Sequence, residues 1–187
     1  MDRDLVVAAQ MGDRGAFETL ALRSHPRLQS VAVGIPRDPH LAEDALQQAL
    51  MDIWRDLPGL RDPSRFEGWS YRLLVRVCHA EARRRPKSTP QDSIPEADEP
   101  HAADAYEAII YRDELERAFR RLSVEQRTVI VFHRLMEMPV ERVAEILDIP
   151  LGTVKSRLSR AMDGLRAAIQ ADARAPANRP ARQEVTP

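Results

Sequence analysis

Residues 140–161 carry the pattern that most restricts what this chain can form. Apolar side chains recur at helical spacing on both sides of a break at Asp148-Ile149-Pro150. The first run contains Val143, Ala144 and Leu147, and the second contains Val154, Leu158, Ala161 and Leu165. Two short helices joined by a tight turn are typical of a helix-turn-helix, whose second helix enters the major groove of DNA. The spacing therefore predicts duplex DNA as a ligand.

The side of the second helix that lies away from the apolar stripe is polar and basic. Arginine and lysine neutralise phosphates, and arginine can also bond a guanine edge bidentately. The start of the helix, near Gly152, can donate backbone N–H groups to a phosphate. A solvated basic helix face is the alternative interpretation. The candidate DNA contacts are Thr153, Lys155, Ser156, Arg157 and Arg160.

Composition favours a globular, all-helical protein without a membrane segment. The chain has 187 residues, 43% of them hydrophobic and 30% charged, with only seven glycines. No apolar run approaches the roughly 20 residues of a membrane-spanning helix, and the acidic N-terminus does not resemble a signal peptide. The single cysteine, Cys78, excludes an internal disulfide and fits a reducing compartment. We therefore expect a cytoplasmic protein.

No pattern of catalytic or cofactor-binding residues is found. The metalloprotease, P-loop, hydrolase and paired-cysteine motifs are absent from the sequence. Cys78-His79 could suggest a metal ligand pair, but adjacent helical residues point in different directions. Core packing is the better interpretation of that pair. We expect neither an enzyme nor a metal or cofactor site.

Charge and proline divide the chain into segments. Residues 86–114 carry eight acidic and two basic side chains, whereas residues 115–187 carry nine acidic and thirteen basic ones. The proline-rich acidic segment has too little apolar surface to offset the entropy of ordering. This predicts two helical domains that move independently on a flexible acidic tether. The boundaries are 1–85 for the first domain, 86–111 for the linker, 112–170 for the second domain and 171–187 for a disordered tail.

Helix signals fill both domains. Asp13 is predicted to cap a helix that Pro26 bends or interrupts. Further helices are expected over about 40–55 and about 65–85, with Trp54 and Trp69 in the core. Ser123-Val124-Glu125-Gln126 is a capping box that opens a helix before the helix-turn-helix.

Taken together, these motifs resemble the extracytoplasmic-function sigma factors of bacterial RNA polymerase, small members of the sigma-70 family. The resemblance covers roughly residues 5–85 and 112–169. A helix-turn-helix alone is a weak signal, since many regulators have one, but the two sets of motifs together, in the family's order across a linker, are a strong one. The matching segments are Gly12-Asp13-Arg14-Gly15-Ala16-Phe17, Ala42-Glu43-Asp44-Ala45-Leu46-Gln47-Gln48, Trp54-Arg55-Asp56-Leu57-Pro58, Phe66-Glu67-Gly68-Trp69-Ser70-Tyr71-Arg72, Leu122-Ser123-Val124-Glu125-Gln126-Arg127 and residues 151–161.

The resemblance implies roles for particular residues. The helix-turn-helix is expected to recognise the −35 promoter element through the residues given above. The polymerase core is expected to bind through its β′ clamp helices and β flap, and an anti-sigma factor is a further partner of such proteins. The implied β′ contacts are Glu43, Asp44 and Gln47. The implied −10 contacts are Arg61, Asp62, Ser64, Arg65, Phe66, Arg72 and Arg76. The alternative interpretations are an ordinary solvated helix face for the β′ contacts and a proline-stabilised turn with Phe66 in the core for the loop before the third helix.

One departure from the family pattern concerns strand opening. The family typically has asparagine where this chain has Arg76, so the −10 preference is not carried over. The acidic linker has two interpretations, a solubilising tether or a segment that occupies a nucleic-acid channel of the polymerase.

Two other functional classes are considered. A helix-turn-helix regulator without a role at the polymerase core, of the response-regulator sort, needs an N-terminal domain of alternating strands and helices. Residues 1–85 show helical periodicity and no strand pattern. An enzyme needs a catalytic constellation, and the five histidines are scattered.

Overall fold

The computed structural model describes residues 3–84 and 115–174, and the regular elements in these ranges are all helical. The first group is α1 (Arg3–Gln10), α2 (Arg14–Gly34), α3 (Pro39–Asp56) and α4 (Phe66–Arg84), with 3-10 turns at Leu57–Gly59 and Pro63–Arg65. The second group is α5 (115–120), α6 (Val124–Ile130), a π turn (Val131–Leu135), α7 (Val140–Leu147) and α8 (Leu151–Arg174). The all-α fold class is confirmed.

Side-chain caps begin two of the helices where the sequence predicts them. The Asp13 carboxylate accepts a hydrogen bond from the Ala16 backbone N–H at 3.0 Å and so caps α2. At the start of α6 the Ser123 hydroxyl accepts from the Gln126 N–H at 3.2 Å, while the Gln126 side chain accepts from the Ser123 N–H at 2.8 Å. This reciprocal pair is the predicted capping box.

Pro26 does not interrupt its helix, contrary to one of the two predicted outcomes. α2 continues through Pro26 to Gly34. Proline removes the hydrogen bond to the carbonyl four residues earlier, which belongs to Leu22. Leu22 and Pro26 both lie on the exposed side of α2, so water can satisfy that carbonyl and the helix tolerates the proline.

The two groups of helices pack directly against each other. One core cluster draws Ile35, Tyr71 and Leu74 from the first group and Val131, Phe132 and Ile146 from the second. A smaller cluster belongs to the second group alone and comprises Ala118, Leu122, Ile130, Ala161, Leu165 and Ala168. The structure therefore differs from the expectation of independently moving domains. That expectation considered only the apolar surface of the tether, whereas the domains themselves supply the apolar surface that docks them.

The turn of the helix-turn-helix has the predicted break. Asp148 adopts the left-handed conformation, with φ 52° and ψ 49°, and ends α7. Aspartate tolerates this region better than most residues. The Pro150 carbonyl then accepts from the Thr153 N–H at 2.8 Å at the start of α8. The turn sets the angle at which α8 leaves α7.

Two predicted segments fall mainly outside the described residues. The linker 86–111 lies wholly outside them, as does the tail from residue 175. α8 extends to Arg174, four residues into the predicted tail, because Ala171 and Ala173 favour helix. No helix within residues 3–84 and 115–174 combines the length and apolar character needed to cross a lipid bilayer.

Candidate nucleic-acid and polymerase interface

The first turns of α8 present most of the predicted −35 residues to solvent. Lys155, Ser156 and Arg160 are exposed, whereas Thr153 and Arg157 are half-buried. The Ser156 hydroxyl donates to the Thr153 carbonyl at 3.1 Å, so its oxygen remains able to accept. Because their side chains are exposed, Lys155 and Arg160 are available to bind an anionic surface.

Arg157 instead lies in a cavity between the two domains. The cavity has a volume of about 410 Å³ and is lined on the α4 side by Arg72, Val75, Arg76 and His79. The second domain contributes Glu125, Thr128, Leu147, Ile149 and Arg157. Arg72 and Arg76, which the resemblance assigns to the −10 element, therefore share a cavity with Arg157, which is assigned to the −35 element. The sequence did not predict this contact, because it arises from the docking of the domains.

A second cavity, of about 330 Å³, lies beside α6 and is lined by two arginines of α8, Arg157 and Arg160. It is lined by Ser123, Glu125, Gln126, Arg157 and Arg160. The pKa of Glu125 is lowered: burial alone would raise it, but hydrogen bonds from its own backbone N–H and from Ser123 outweigh burial, and Arg157 adds to the effect. Glu125 therefore stays ionised and offsets part of the positive charge on α8.

The loop before α4 holds the exposed part of the predicted −10 site. Asp62 accepts from the Ser64 N–H at 3.0 Å and from the Ser64 hydroxyl at 2.7 Å. These bonds hold the pKa of Asp62 below its usual value, and they fix the turn in front of α4. Arg61 and Arg65 project from it and are exposed.

Phe66 does not belong to this exposed surface. Its side chain is 2% exposed and packs against Trp69, with ring centroids 6.1 Å apart. Of the two interpretations of Phe66, the structure agrees with the buried one and contradicts the contact with a −10 base, because the ring fills the core at the start of α4.

The two arginines of α4 differ in their surroundings. Both Arg72 and Arg76 are exposed. Arg76 lies 3.8 Å from the carboxylate of Asp52 on α3, a buried acid that also accepts from Gln48 at 3.1 Å. Where the family typically has asparagine, this chain therefore has a cation that pairs with α3.

The predicted polymerase contacts share one side of α3. Glu43, Asp44 and Gln47 are exposed, and no ion pair within the described ranges involves either acid. Met51 and Trp54 continue this side of the helix and are 58% and 38% exposed. Trp54 packs against Phe17 with a centroid distance of 4.6 Å and ring planes tilted by 56°. Because Trp54 is exposed, the prediction that it lies in the core is wrong.

Sequence reasoning missed this apolar extension because Trp54 lies at the edge of the apolar stripe. Helical periodicity predicts which side of a helix is apolar, but it does not predict how far around the helix that side extends. The exposed Met51, which interrupts the polar side of α3, was the signal that could have revealed it.

His79 and Cys78 have separate surroundings. The thiol of Cys78 is fully buried, and burial raises its pKa to about 12, so the thiol is unreactive at neutral pH.

Nε2 of His79 lies 2.8 Å from the Thr128 hydroxyl, which itself donates to the Val124 carbonyl at 2.7 Å. His79 is therefore the donor in this contact between the domains. In the described ranges no cluster of three or more histidine, cysteine or acidic side chains could hold a metal.

Burial lowers the pKa of His79. Arg83, Arg157 and Arg127 add to the lowering, whereas Glu125 opposes it. Since the docked state binds a proton less readily than an exposed imidazole, docking is favoured above the ordinary histidine pKa and weakens as the pH falls below it.

Comparison with known proteins agrees with the geometry of both domains. The sigma-70 region 2 family matches residues 20–87, and the sigma-70 region 4 family matches residues 112–163. The chain is 30% identical to the RNA polymerase sigma-H factor of Pseudomonas aeruginosa, with 90% of this chain and 94% of the relative covered. It is 32% identical to the ECF RNA polymerase sigma factor SigM of Mycobacterium tuberculosis, with 86% and 80% covered.

Solved structures share the fold across most of the chain. The structure of CnrH in complex with the cytosolic domain of CnrY matches with a TM-score of 0.63 and 25% identity, covering 91% of this chain and 98% of that one. The sigma factor RpoE of Bartonella quintana, in complex with the anti-sigma factor NepR, matches with a TM-score of 0.65 and 23% identity, covering 83% and 98%. With both sigma-70 regions present in the family's order, this chain belongs to the extracytoplasmic-function (ECF) RNA polymerase sigma factors.

Proposed function

We propose a division of labour among the surfaces of this alternative sigma factor. The polar side of α3, with Glu43, Asp44 and Gln47, binds the β′ clamp helices of the polymerase core. The loop before α4 contacts the −10 element together with Arg72 and Arg76, and the start of α8 recognises the −35 element. The observation that supports this assignment best is that one chain presents both an exposed acidic-polar helix side and an exposed basic recognition helix, in the two sigma-70 regions.

The physical chemistry of each surface fits its proposed partner. Complementary charge across an interface raises the association rate and sets the register, and the carboxylates of Glu43 and Asp44 on α3 are exposed. Cations at the start of α8 can contact phosphates and guanine edges. Because both partners act where chromosomal DNA is transcribed, we place the protein in the cytoplasm.

The partners are RNA polymerase core, through the β′ clamp helices and the β flap, and promoter DNA. The two solved structures described above are both complexes, one of CnrH with the cytosolic domain of CnrY and the other of the sigma factor RpoE of Bartonella quintana with the anti-sigma factor NepR. We propose that an anti-sigma factor also regulates this chain by covering the α3 surface near Asp44 and Gln47. The alternative function, a helix-turn-helix regulator without a role at the polymerase core, does not account for the exposed polar side of α3.

Reconstituted transcription tests the function directly. Purified protein added to polymerase core is expected to start transcripts at a restricted set of genomic promoters, because the core supplies catalysis and the sigma factor supplies promoter contacts. Run-off transcription from sheared genomic DNA, with core alone as the control, measures this. Tight promoter binding by the free protein with no transcripts when core is present would instead identify a regulator that acts without the core.

Removing Arg160 is expected to weaken binding to −35 duplexes while leaving binding to the core unchanged. A lost bidentate base contact costs about 1–3 kcal/mol, or about 5- to 150-fold in affinity, and the loss should vanish on a duplex mutated at the contacted base. Fluorescence anisotropy with matched and mutated duplexes at two salt concentrations measures the duplex affinities of the Arg160→Ala and Arg157→Ala variants.

Arg166→Ala is the matched control, because Arg166 is exposed farther along the same helix and pairs with Asp163 at 3.1 Å. A loss of affinity that is equal on all duplexes, with a salt slope reduced by about one, would reassign Arg160 to a phosphate. No loss on any duplex would remove this side of α8 from the −35 interface.

A further inference from the structure

We propose that Asp52 on α3 determines how Arg76 reads the −10 element. Its buried carboxylate holds the Arg76 guanidinium in place, so that this arginine recognises a base edge instead of binding any phosphate within reach. The inference rests on the function proposed above, which assigns Arg76 to the −10 element. It adds a positioning residue that is too buried to contact DNA itself.

Asp52 is an acid on the apolar side of α3. Ala45, Ala49 and Ile53 are buried on this side, and Asp52 lies among them and is 7% exposed. Taking a carboxylate out of water costs several kcal/mol, and an apolar residue in place of a buried ion-pair partner is often as stabilising or more so. Stability alone therefore does not explain the acid, and its contacts indicate another role.

The two carboxylate oxygens of Asp52 have different partners. Oδ1 accepts a hydrogen bond from Nε2 of Gln48 at 3.1 Å and forms an ion pair with Nη2 of Arg55 at 3.0 Å, and both partners belong to α3. Oδ2 lies 3.8 Å from Nη2 of Arg76 on α4. One oxygen is thus satisfied within its own helix, and the other pairs with the helix that we assign to the −10 element.

Arg55 is shared with a second acid, Asp56. Nε and Nη2 of Arg55 donate to the two oxygens of Asp56 at 2.8 and 3.2 Å, as a bidentate pair. The hydrogen bonds from Arg55 hold the pKa of Asp56 below its usual value, and the charge of Arg76 contributes last to this lowering. Asp56 is therefore occupied by Arg55, and Asp52 is the acid that pairs with Arg76.

Arg76 is held by Asp52 and is still open to a ligand. It lines the cavity of about 410 Å³ together with Arg72 and Arg157, whose like charges repel it while Asp52 attracts it. The side chain of Arg76 is nevertheless 62% exposed. A guanidinium has five N–H donors, and the pair with Asp52 is formed by Nη2. Donors of Arg76 therefore remain available to DNA.

A guanidinium that is held and partly neutralised should discriminate between bases more and attract phosphates less. Fixing a side chain before it binds reduces the entropy lost on binding, and an aligned arginine bonds O6 and N7 of guanine bidentately. The carboxylate meanwhile offsets charge that would attract every phosphate equally. Both residues lie in the first domain, so their pairing needs no contact with the second. We expect guanine at the base that Arg76 contacts.

Binding of single strands to the holoenzyme tests the effect of Asp52 on recognition. Asp52→Asn keeps an acceptor for Gln48 but removes the charge. Holoenzyme with this variant is expected to bind unrelated strands more tightly, with a salt slope steeper by about 0.7, as for one added phosphate contact. Its preference for a −10 strand over a scrambled strand should fall about fivefold or more, the lower end of what one base contact contributes. Fluorescence anisotropy with labelled strands of a promoter found by run-off transcription measures both quantities.

Asp56→Asn is the matched control, because it removes the same charge one turn farther along α3, beside Arg55. It should steepen the salt slope without changing the preference for the −10 strand. In an Arg76→Ala background, Asp52→Asn should cause no further loss of preference, since the two residues act together. A loss of preference that persists without Arg76, or an Asp52→Asn variant that gains affinity equally for both strands, would overturn the proposal.

NMR relaxation of the arginine side chains tests the positioning in the free, full-length chain. The order parameter of the Arg76 Nε–Hε bond should exceed about 0.6 in the unmodified protein and fall below it in Asp52→Asn. Arg72 is exposed one turn earlier on α4, and its order parameter should be the same in both proteins. Asp52→Leu replaces Asp52→Asn if the latter unfolds by circular dichroism, because an apolar residue suits the buried side of α3.

The two measurements separate a failure of this inference from a failure of the proposed function. An Arg76 side chain that is as mobile in the unmodified chain as in Asp52→Asn would overturn the positioning, whatever the transcription assay shows. An Arg76 that Asp52 orders, but whose replacement by alanine leaves strand preference unchanged, would show that the −10 assignment of Arg76 is wrong, and the role of Asp52 in recognition would fall with it.

Discussion

Replacing Glu43 and Asp44 together with lysine is expected to lower the affinity of this sigma factor for polymerase core by at least about 100-fold, since like charges across an interface cost several kcal/mol. Both side chains are exposed on α3 and lie beyond its first turn, where the helix dipole has little effect. The fold should therefore be unaffected, with a change in the free energy of unfolding within about 0.5 kcal/mol. Titration of labelled core with the variant measures the loss.

Glu18→Lys is the control for this reversal, because Glu18 is an exposed acid on α2 of the same domain. Substituting Met51 or Trp54 with alanine then asks whether the apolar extension of the α3 surface also contacts the core. Unchanged affinity in the double lysine variant would place the polymerase-binding surface elsewhere on the chain and would leave the acids of α3 as ordinary solvated groups.

Local signals predicted the helices and the turn of the helix-turn-helix well. Asp13 and Ser123 satisfy N–H groups at the starts of their helices, and Asp148 ends α7 in the left-handed conformation. Each of these features depends on residues within a few positions of one another, so the sequence carries the full information. The same holds for the stripe of α8, where Val154 and Ala161 are buried.

Docking of the domains could not be predicted in this way. Val131 and Phe132 belong to an apolar run that periodicity assigns to a core, but periodicity does not say which domain provides the other side of that core. Arg157 was expected to face outward with the other cations of α8 and is half-buried because α4 lies opposite it. Phe66 was grouped with a DNA-contacting loop because it adjoins that loop in sequence, although its ring is buried.

Truncating Phe132 should show how tightly the domains are coupled. Phe132 is 0% exposed, and removing a fully buried phenylalanine ring costs about 3–5 kcal/mol. Part of that ring's contact is with Tyr71 of the first domain. The loss should therefore reach both domains, although the substitution lies in the second. Chemical denaturation of Phe132→Ala measures it.

The two tryptophans make the outcome readable, because Trp54 and Trp69 both lie in the first domain. Their fluorescence reports unfolding of that domain alone, whereas circular dichroism reports the helices of both. If docking couples the domains, the fluorescence midpoint of Phe132→Ala falls together with the circular dichroism midpoint. Leu165→Ala, within the cluster that belongs to the second domain, should shift the fluorescence less, since Leu165 makes no part of the shared core. A fluorescence midpoint that Phe132→Ala leaves unchanged would mean that the first domain is stable on its own and that the contact of Tyr71 with Phe132 contributes little to it.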